Sequence, residues 1–169
     1  MNKRFNAKRV ALCGLLLAMM LVLGWVEKQI PFPLPGVKLG LSNSVLIFAV
    51  YMLDIPTAFV LMLFKVFLSN LLFGSLGVTF AMGFAGGIAS LTAMVLISRI
   101  KGMHPVTVSI VGGVMHNVGQ VTLAMIMLQT SRLAWYLAVL MVVGLICGAL
   151  TGVCANQVMK YMKHMKISK

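Results

Sequence analysis

The stretch LMLFKVFLSN, residues 61–70, decides the fold class of this chain. Seven of its ten residues are apolar, and the longer apolar segment around it contains a single charged residue, Lys65. A helix that crosses a bilayer needs about 20 mainly apolar residues, because the hydrocarbon core is about 30 Å thick. The stretch therefore predicts a membrane-spanning helix that carries one cation.

The composition extends this interpretation to the whole chain. Of its 169 residues, 61% are hydrophobic and 9% are charged, and the mean hydropathy is +1.05. Soluble domains carry about 25% charged residues. We expect an all-α integral membrane protein, a compact bundle in which residues 1–169 form one transmembrane domain. The polar breaks predict six spans at about 10–26, 39–53, 57–73, 78–97, 106–128 and 133–158.

The basic residues are distributed asymmetrically along these spans. With the N-terminus in the cytoplasm, ten of the 14 Lys and Arg residues lie on the cytoplasmic side, three lie outside and Lys65 lies within the membrane. Lys and Arg are retained on the cytoplasmic side of short loops. We therefore expect a multi-pass protein of the plasma membrane with both termini in the cytoplasm. We interpret the net charge of +12 as a topology signal, carried by basic residues beside the membrane lipid. No nucleic-acid partner is expected.

Lys65 is the first candidate functional residue, because a charge inside a membrane is costly and tends to face a bundle interior. The two carboxylates of the chain, Glu27 and Asp54, are predicted at the ends of spans and away from the depth of Lys65. Three states remain open for Lys65. It could be deprotonated, hydrogen-bonded to neighbouring polar groups, or paired with a negatively charged solute.

A second group of polar residues lies on span five, in SIVGGVMHNVGQV at 109–121. At 100° per residue, His116 and Gln120 share one face with Ser109 and Gly113, and Asn117 lies at its edge. Such residues can simply join helices by hydrogen bonds. Together with Lys65 they also predict a solute site open to the outer face. The candidate binding residues are Lys65, His116, Asn117, Gln120, Asn43, Asn70 and Lys38.

Two further features have both a functional and a structural interpretation. The segment KQIPFPLPGVKLG, 28–40, contains three prolines that forbid a regular helix, so it could be a lid or a plain connector. A stripe of small residues on span one could receive a partner helix or serve internal packing. This docking stripe consists of Ala7, Ala11, Gly14 and Ala18. We expect no metal and no cofactor, since no second His or Cys lies at ligand spacing from His116.

Three stretches carry a resemblance to a known family: IPFPLPGVKLGLSN (30–43), GGIASL (86–91) and VSIVGGVMHNVGQV (108–121). With them the chain resembles the Gx transporter family, also labelled heptaprenyl diphosphate synthase component I. Lys65 stands where an arginine of that family is expected, which keeps the charge but loses the bidentate fork.

That family is in turn similar to the S components of energy-coupling factor transporters. These are six-helix membrane proteins that capture a vitamin-like solute outside and dock on a T subunit driven by two ATPases. The resemblance implies that the docking stripe meets the T subunit, that residues 28–40 form a gate, and that the outer polar residues bind the solute.

We therefore expect a substrate-binding membrane subunit that captures a polar or anionic solute and depends on partner subunits for ATP-driven transport. The chain has no GxxxxGK[ST] loop for nucleotide binding. The alternative is an accessory membrane protein of isoprenoid or quinone metabolism, or of flavin-dependent extracellular electron transfer. An enzyme is not expected, because prenyl diphosphate condensation uses Asp-rich motifs to hold Mg²⁺, and the chain contains two acidic residues.

Overall fold

A computed structural model describes residues 7–29, 41–73 and 77–164 of the protein. These residues form six helices and contain no strand, so the all-α prediction is confirmed. The helices are α1 (Ala7–Gln29), α2 (Leu41–Met52), α3 (Ile55–Phe73), α4 (Val78–Ser98), α5 (Pro105–Leu128) and α6 (Leu133–His164). Each helix coincides with one expected span, although α6 continues beyond the expected end at 158.

Five of the six helices, α1 and α3 to α6, are long and apolar enough to cross a membrane. The exception is α2, which has 12 residues and is about 18 Å long at 1.5 Å per residue. That length is less than the roughly 30 Å of a hydrocarbon core. The protein is therefore a bundle of five potential membrane-crossing helices and one short helix.

The short helix α2 occupies the centre of the bundle. It contacts each of the other five helices, and all residues from 45 to 49 are buried. A helix that is apolar on every side is stable when it is surrounded by other helices. The other five helices therefore pack around α2.

Close backbone packing joins α5 to α6. A Cβ atom added at Gly113 of α5 would lie 2.7 Å from the carbonyl oxygen of Gly144 on α6. A Cβ atom at Gly148 would lie 2.7 Å from the Cα atom of Ile110. Small residues at such crossings let helix backbones approach closely in a membrane. The α5–α6 pair is therefore a rigid part of the bundle.

The substitution Gly113→Ala tests this packing. We expect it to destabilise the protein by about 1–3 kcal/mol, since the new methyl group meets backbone that cannot rotate away. For a chain of this size that corresponds to a fall in melting temperature of about 2–10 °C in detergent. Gly24→Ala is the matched control, because a Cβ atom at Gly24 has no neighbour within 4 Å. An equal melting temperature for Gly113→Ala and wild type would contradict the close packing.

Polar contacts hold α1 against α3 at both ends. At the start of α1, Arg9 forms an ion pair with Asp54, and its Nη2 atom donates to Thr57 Oγ1 at 3.0 Å. At the end of α1, Lys28 Nζ donates to the carbonyl oxygen of Phe73 at 2.7 Å. Such a cation satisfies a carbonyl group that a helix end leaves without an intrahelical donor. The two helices therefore run in the same direction.

On its other side α1 leaves a gap. Within the described residues, α1 and α6 have no close backbone contact, and an apolar groove of about 340 Å³ separates them. Its floor is α2, through Val45 and Phe48, and its walls include Met19 of α1 and Val158 of α6. We refer to this space as the α1–α6 groove.

Candidate solute-binding site

His116 and Gln120 of α5 both face α4. A Cβ atom at Gly86 of α4 would lie 2.7 Å from Gln120 Cγ and 3.0 Å from His116 Cε1. Both side chains are buried. The glycine therefore provides the space that these two polar side chains occupy between the helices.

Asn70 of α3 approaches the same helix from the other side. Its Nδ2 atom would lie 3.8 Å from a Cβ atom at Gly83, one turn before Gly86 on α4. It is buried and donates from Nδ2 to the carbonyl oxygen of Val66 at 2.8 Å. That bond uses one of the two amide hydrogens and leaves the side-chain oxygen to accept. Asn70, His116 and Gln120 therefore all lie against α4 within one helical turn, at Gly83 and Gly86.

Ser90 lies one turn further along α4, and the sequence analysis did not single it out. It follows Gly86 by one turn on α4 and is fully buried, with 0% of its surface exposed. Its Oγ atom has no hydrogen-bond partner in the described part of the chain. The four-residue spacing from Gly86 to Ser90 in GGIASL was the sequence signal from which Ser90 could have been placed on the same face of α4. We call Asn70, Ser90, His116 and Gln120 the α4 polar cluster.

Asn117 points away from this cluster. Its Nδ2 atom donates to the carbonyl oxygen of Leu140 on α6 at 2.7 Å, and it is buried. Ser109 lies on the same side, with its hydroxyl 3.2 Å from that of Thr151. Both residues therefore join α5 to α6, the structural interpretation that the sequence left open.

Lys65 is half-buried on α3 and has an interaction partner within the protein. The role of Lys65 in solute binding stays a prediction. Glu27 lies in the last turn of α1, as expected, but it is buried, with 8% of its surface exposed, and it too is engaged. The end of α1 therefore carries a buried acid.

The remaining predicted site residues are only partly described. Lys38 and residues 30–40 of the expected lid lie outside the described residues. Asn43 lies in the first turn of α2, but its side chain is not among those that the structure describes. These assignments stay predictions. Within the described residues, no group of three His, Cys, Asp or Glu side chains could hold a metal ion, and Cys13, Cys147 and Cys154 are free.

The docking stripe lies on the surface of the bundle. Ala7, Ala11, Gly14 and Ala18 are all exposed, and a Cβ atom at Gly14 would have no neighbour within 4 Å. The buried residues of α1, among them Leu16 and Met20, lie on a different face. The stripe is therefore not used for packing by the described helices.

The comparisons with known proteins give the family. The model of the family "Heptaprenyl diphosphate synthase component I" matches residues 16–158. The chain belongs to this family. The matched residues of this component I protein include all of α2, α3, α4 and α5, and therefore the whole α4 polar cluster. Neither the search of curated proteins nor the search of solved structures gave a significant match.

Proposed function

We propose that this component I protein is the substrate-binding membrane subunit of a small-molecule uptake transporter. It captures a polar or anionic solute from the outer face and relies on partner subunits for transport. The observation that carries the proposal is the α4 polar cluster, four buried polar side chains from three helices. Polar side chains inside a membrane bundle are costly and mark solute pathways.

The exposed docking stripe supports the proposal that the protein assembles with partner subunits. A lipid-facing row of Ala and Gly allows a second helix to approach the backbone of α1 closely. The chain has no nucleotide-binding loop of its own. A T subunit and two ATPases, as in the transporters that the family resembles, are the proposed partners.

The orientation of the bundle follows from the distribution of charge. The basic residues outside the spans are concentrated at the end where α1 begins and α6 ends. By the positive-inside rule, that end faces the cytoplasm of a plasma membrane. The opposite end, where Lys28 contacts Phe73, then faces outward.

The positions of the two acidic residues argue against a prenyl-condensing enzyme. Asp54 pairs with Arg9 near the start of α1, whereas Glu27 lies in the last turn of the same helix. The 18 residues from Arg9 to Glu27 span roughly 27 Å along a helix. Two carboxylates that far apart do not hold one Mg²⁺ ion on a diphosphate.

The α1–α6 groove favours the second candidate function, an accessory role in isoprenoid or quinone metabolism or in flavin-dependent extracellular electron transfer. The groove is lined almost entirely by apolar side chains and has the volume of a small ligand pocket. An isoprenoid chain matches that lining. Under this function the protein would carry a prenyl lipid or quinone rather than a polar solute.

Purification in mild detergent distinguishes the two functions. Small molecules and lipids released from the denatured protein are identified by mass spectrometry, and co-purifying proteins are identified in parallel. The uptake function predicts a polar solute together with a T subunit and ATPases. A quinone or prenyl lipid with a flavin-carrying or quinone-making protein would support the second function and contradict the first.

A further inference from the structure

We infer that Ser90 is a solute-contacting residue and that the α4 polar cluster takes an uncharged solute with adjacent hydrogen-bond donors and acceptors. This inference rests on the proposed uptake function and narrows its solute class. The amide or imide edge of a heterocycle has the required chemistry.

The helical neighbours of Ser90 define the direction in which it faces. Gly86, one turn before it, lies against His116 and Gln120. Met94, one turn after it, is buried with Ile47 of α2 and Val108 of α5. Residues one turn apart share a helix face. Ser90 therefore faces α5 and the central helix, beside His116 rather than toward lipid.

The hydroxyl of Ser90 differs from the other serine hydroxyl described on α4. Ser98 Oγ donates to the carbonyl oxygen of Val95 at 2.9 Å, a bond within its own helix. Ser90 is fully buried, yet its Oγ atom has no such bond among the described residues. Buried polar groups nearly always have a partner, and none of the described residues supplies one to Ser90. A solute at the cluster would be that partner.

The chemistry of the cluster favours an uncharged solute over an anion. Its hydroxyl, its two amides and its imidazole can each donate and accept hydrogen bonds. The four side chains of the cluster include no carboxylate, lysine or arginine. An anion would need a dedicated cation or several strong donors. A neutral solute with alternating donors and acceptors needs neither.

The variant Ser90→Ala tests the inference, with Ser98→Ala as the matched control on the same helix. Small molecules extracted from purified wild type and both variants are compared by mass spectrometry. We expect wild type and Ser98→Ala to retain the same uncharged polar compound. Ser90→Ala should retain about tenfold less, the change expected when one hydrogen bond to the solute is lost.

Thermal unfolding after removal of bound compounds gives an independent measurement. Ser90→Ala is expected to melt about 2–4 °C above wild type, because it removes a buried hydroxyl that lacks a partner. A lower melting temperature for Ser90→Ala would overturn the inference, since the hydroxyl would then be satisfied in the empty protein. If Ser90 had only a structural role, its substitution by Ala would not both raise the melting temperature and reduce the amount of retained compound.

The remaining outcomes separate this inference from the proposed function. Equal retention by Ser90→Ala and wild type would remove Ser90 from the site and leave the uptake function standing. An anionic compound in the wild-type extract would overturn the assigned solute class, again without touching the uptake function. No enriched polar compound in wild type would overturn both.

Discussion

His116→Ala is expected to weaken solute binding by about tenfold to a hundredfold while the bundle stays folded. The imidazole is buried against Gly86 at the centre of the α4 polar cluster. Losing its hydrogen bond to a solute in a buried site corresponds to about 1.5–3 kcal/mol. The change removes atoms instead of adding them, so it introduces no clash with α4. The measurement is a binding curve with the compound identified from the wild-type extract.

His104→Ala is the matched control for this prediction. His104 is the exposed N-cap of α5, where its Nδ1 atom accepts from the amide of Val106 at 3.3 Å. Its loss is expected to cost about 0.5–2 kcal/mol of helix stability and to leave binding unchanged. Identical binding curves for His116→Ala and wild type would remove the α4 polar cluster as the solute site.

Ala11→Leu is expected to reduce assembly with the T subunit and the ATPases at least tenfold and to leave solute affinity unchanged. Ala11 is exposed in the middle of the docking stripe, where a larger side chain would hold a partner helix away from the backbone of α1. Affinity changes tenfold for about every 1.4 kcal/mol, so a modest loss of helix contact has this effect. Co-purification of the tagged variant with its partners measures it.

Ala138→Leu provides the same chemical change on a different surface. Ala138 is exposed on α6, away from α1, so the variant should retain its partners. If Ala11→Leu also retains the full complex, the docking stripe is not the interface. Loss of the complex in both variants would indicate a general effect of added bulk on the lipid-facing surface.

The helices were predictable because the membrane sets their length and makes each appear as a run of apolar residues. The end of α6 was not predictable, because hydropathy carries no information on where a helix ends once it has left the apolar region. Residues such as Lys160 and Tyr161 continue the backbone hydrogen bonds of α6 outside it. Hydropathy also did not show that α2 is the central helix, because the apolar sequence of α2 resembles the apolar sequences of the other helices.

The candidate site was predictable only within single helices. Helical periodicity placed His116 and Gln120 on one face, and both meet Gly86. Asn117 was grouped with them because periodicity does not say which neighbour covers an edge residue, and α6 covers this one. The burial of Glu27 depends on the helices that surround the last turn of α1. Its position near a helix end gave no prediction of its burial.

The two polar links between α1 and α3 have a mechanical consequence. Arg9 at one end and Lys28 at the other connect α1 to α3, whereas the α1–α6 groove leaves α1 free of close backbone contact on its other side. A force applied to the outer surface of α1 is therefore transmitted to α2 and, through these polar links, to α3. Because α3 carries Asn70, such a load would shift its amide relative to the imidazole of His116 on the rigid α5–α6 pair.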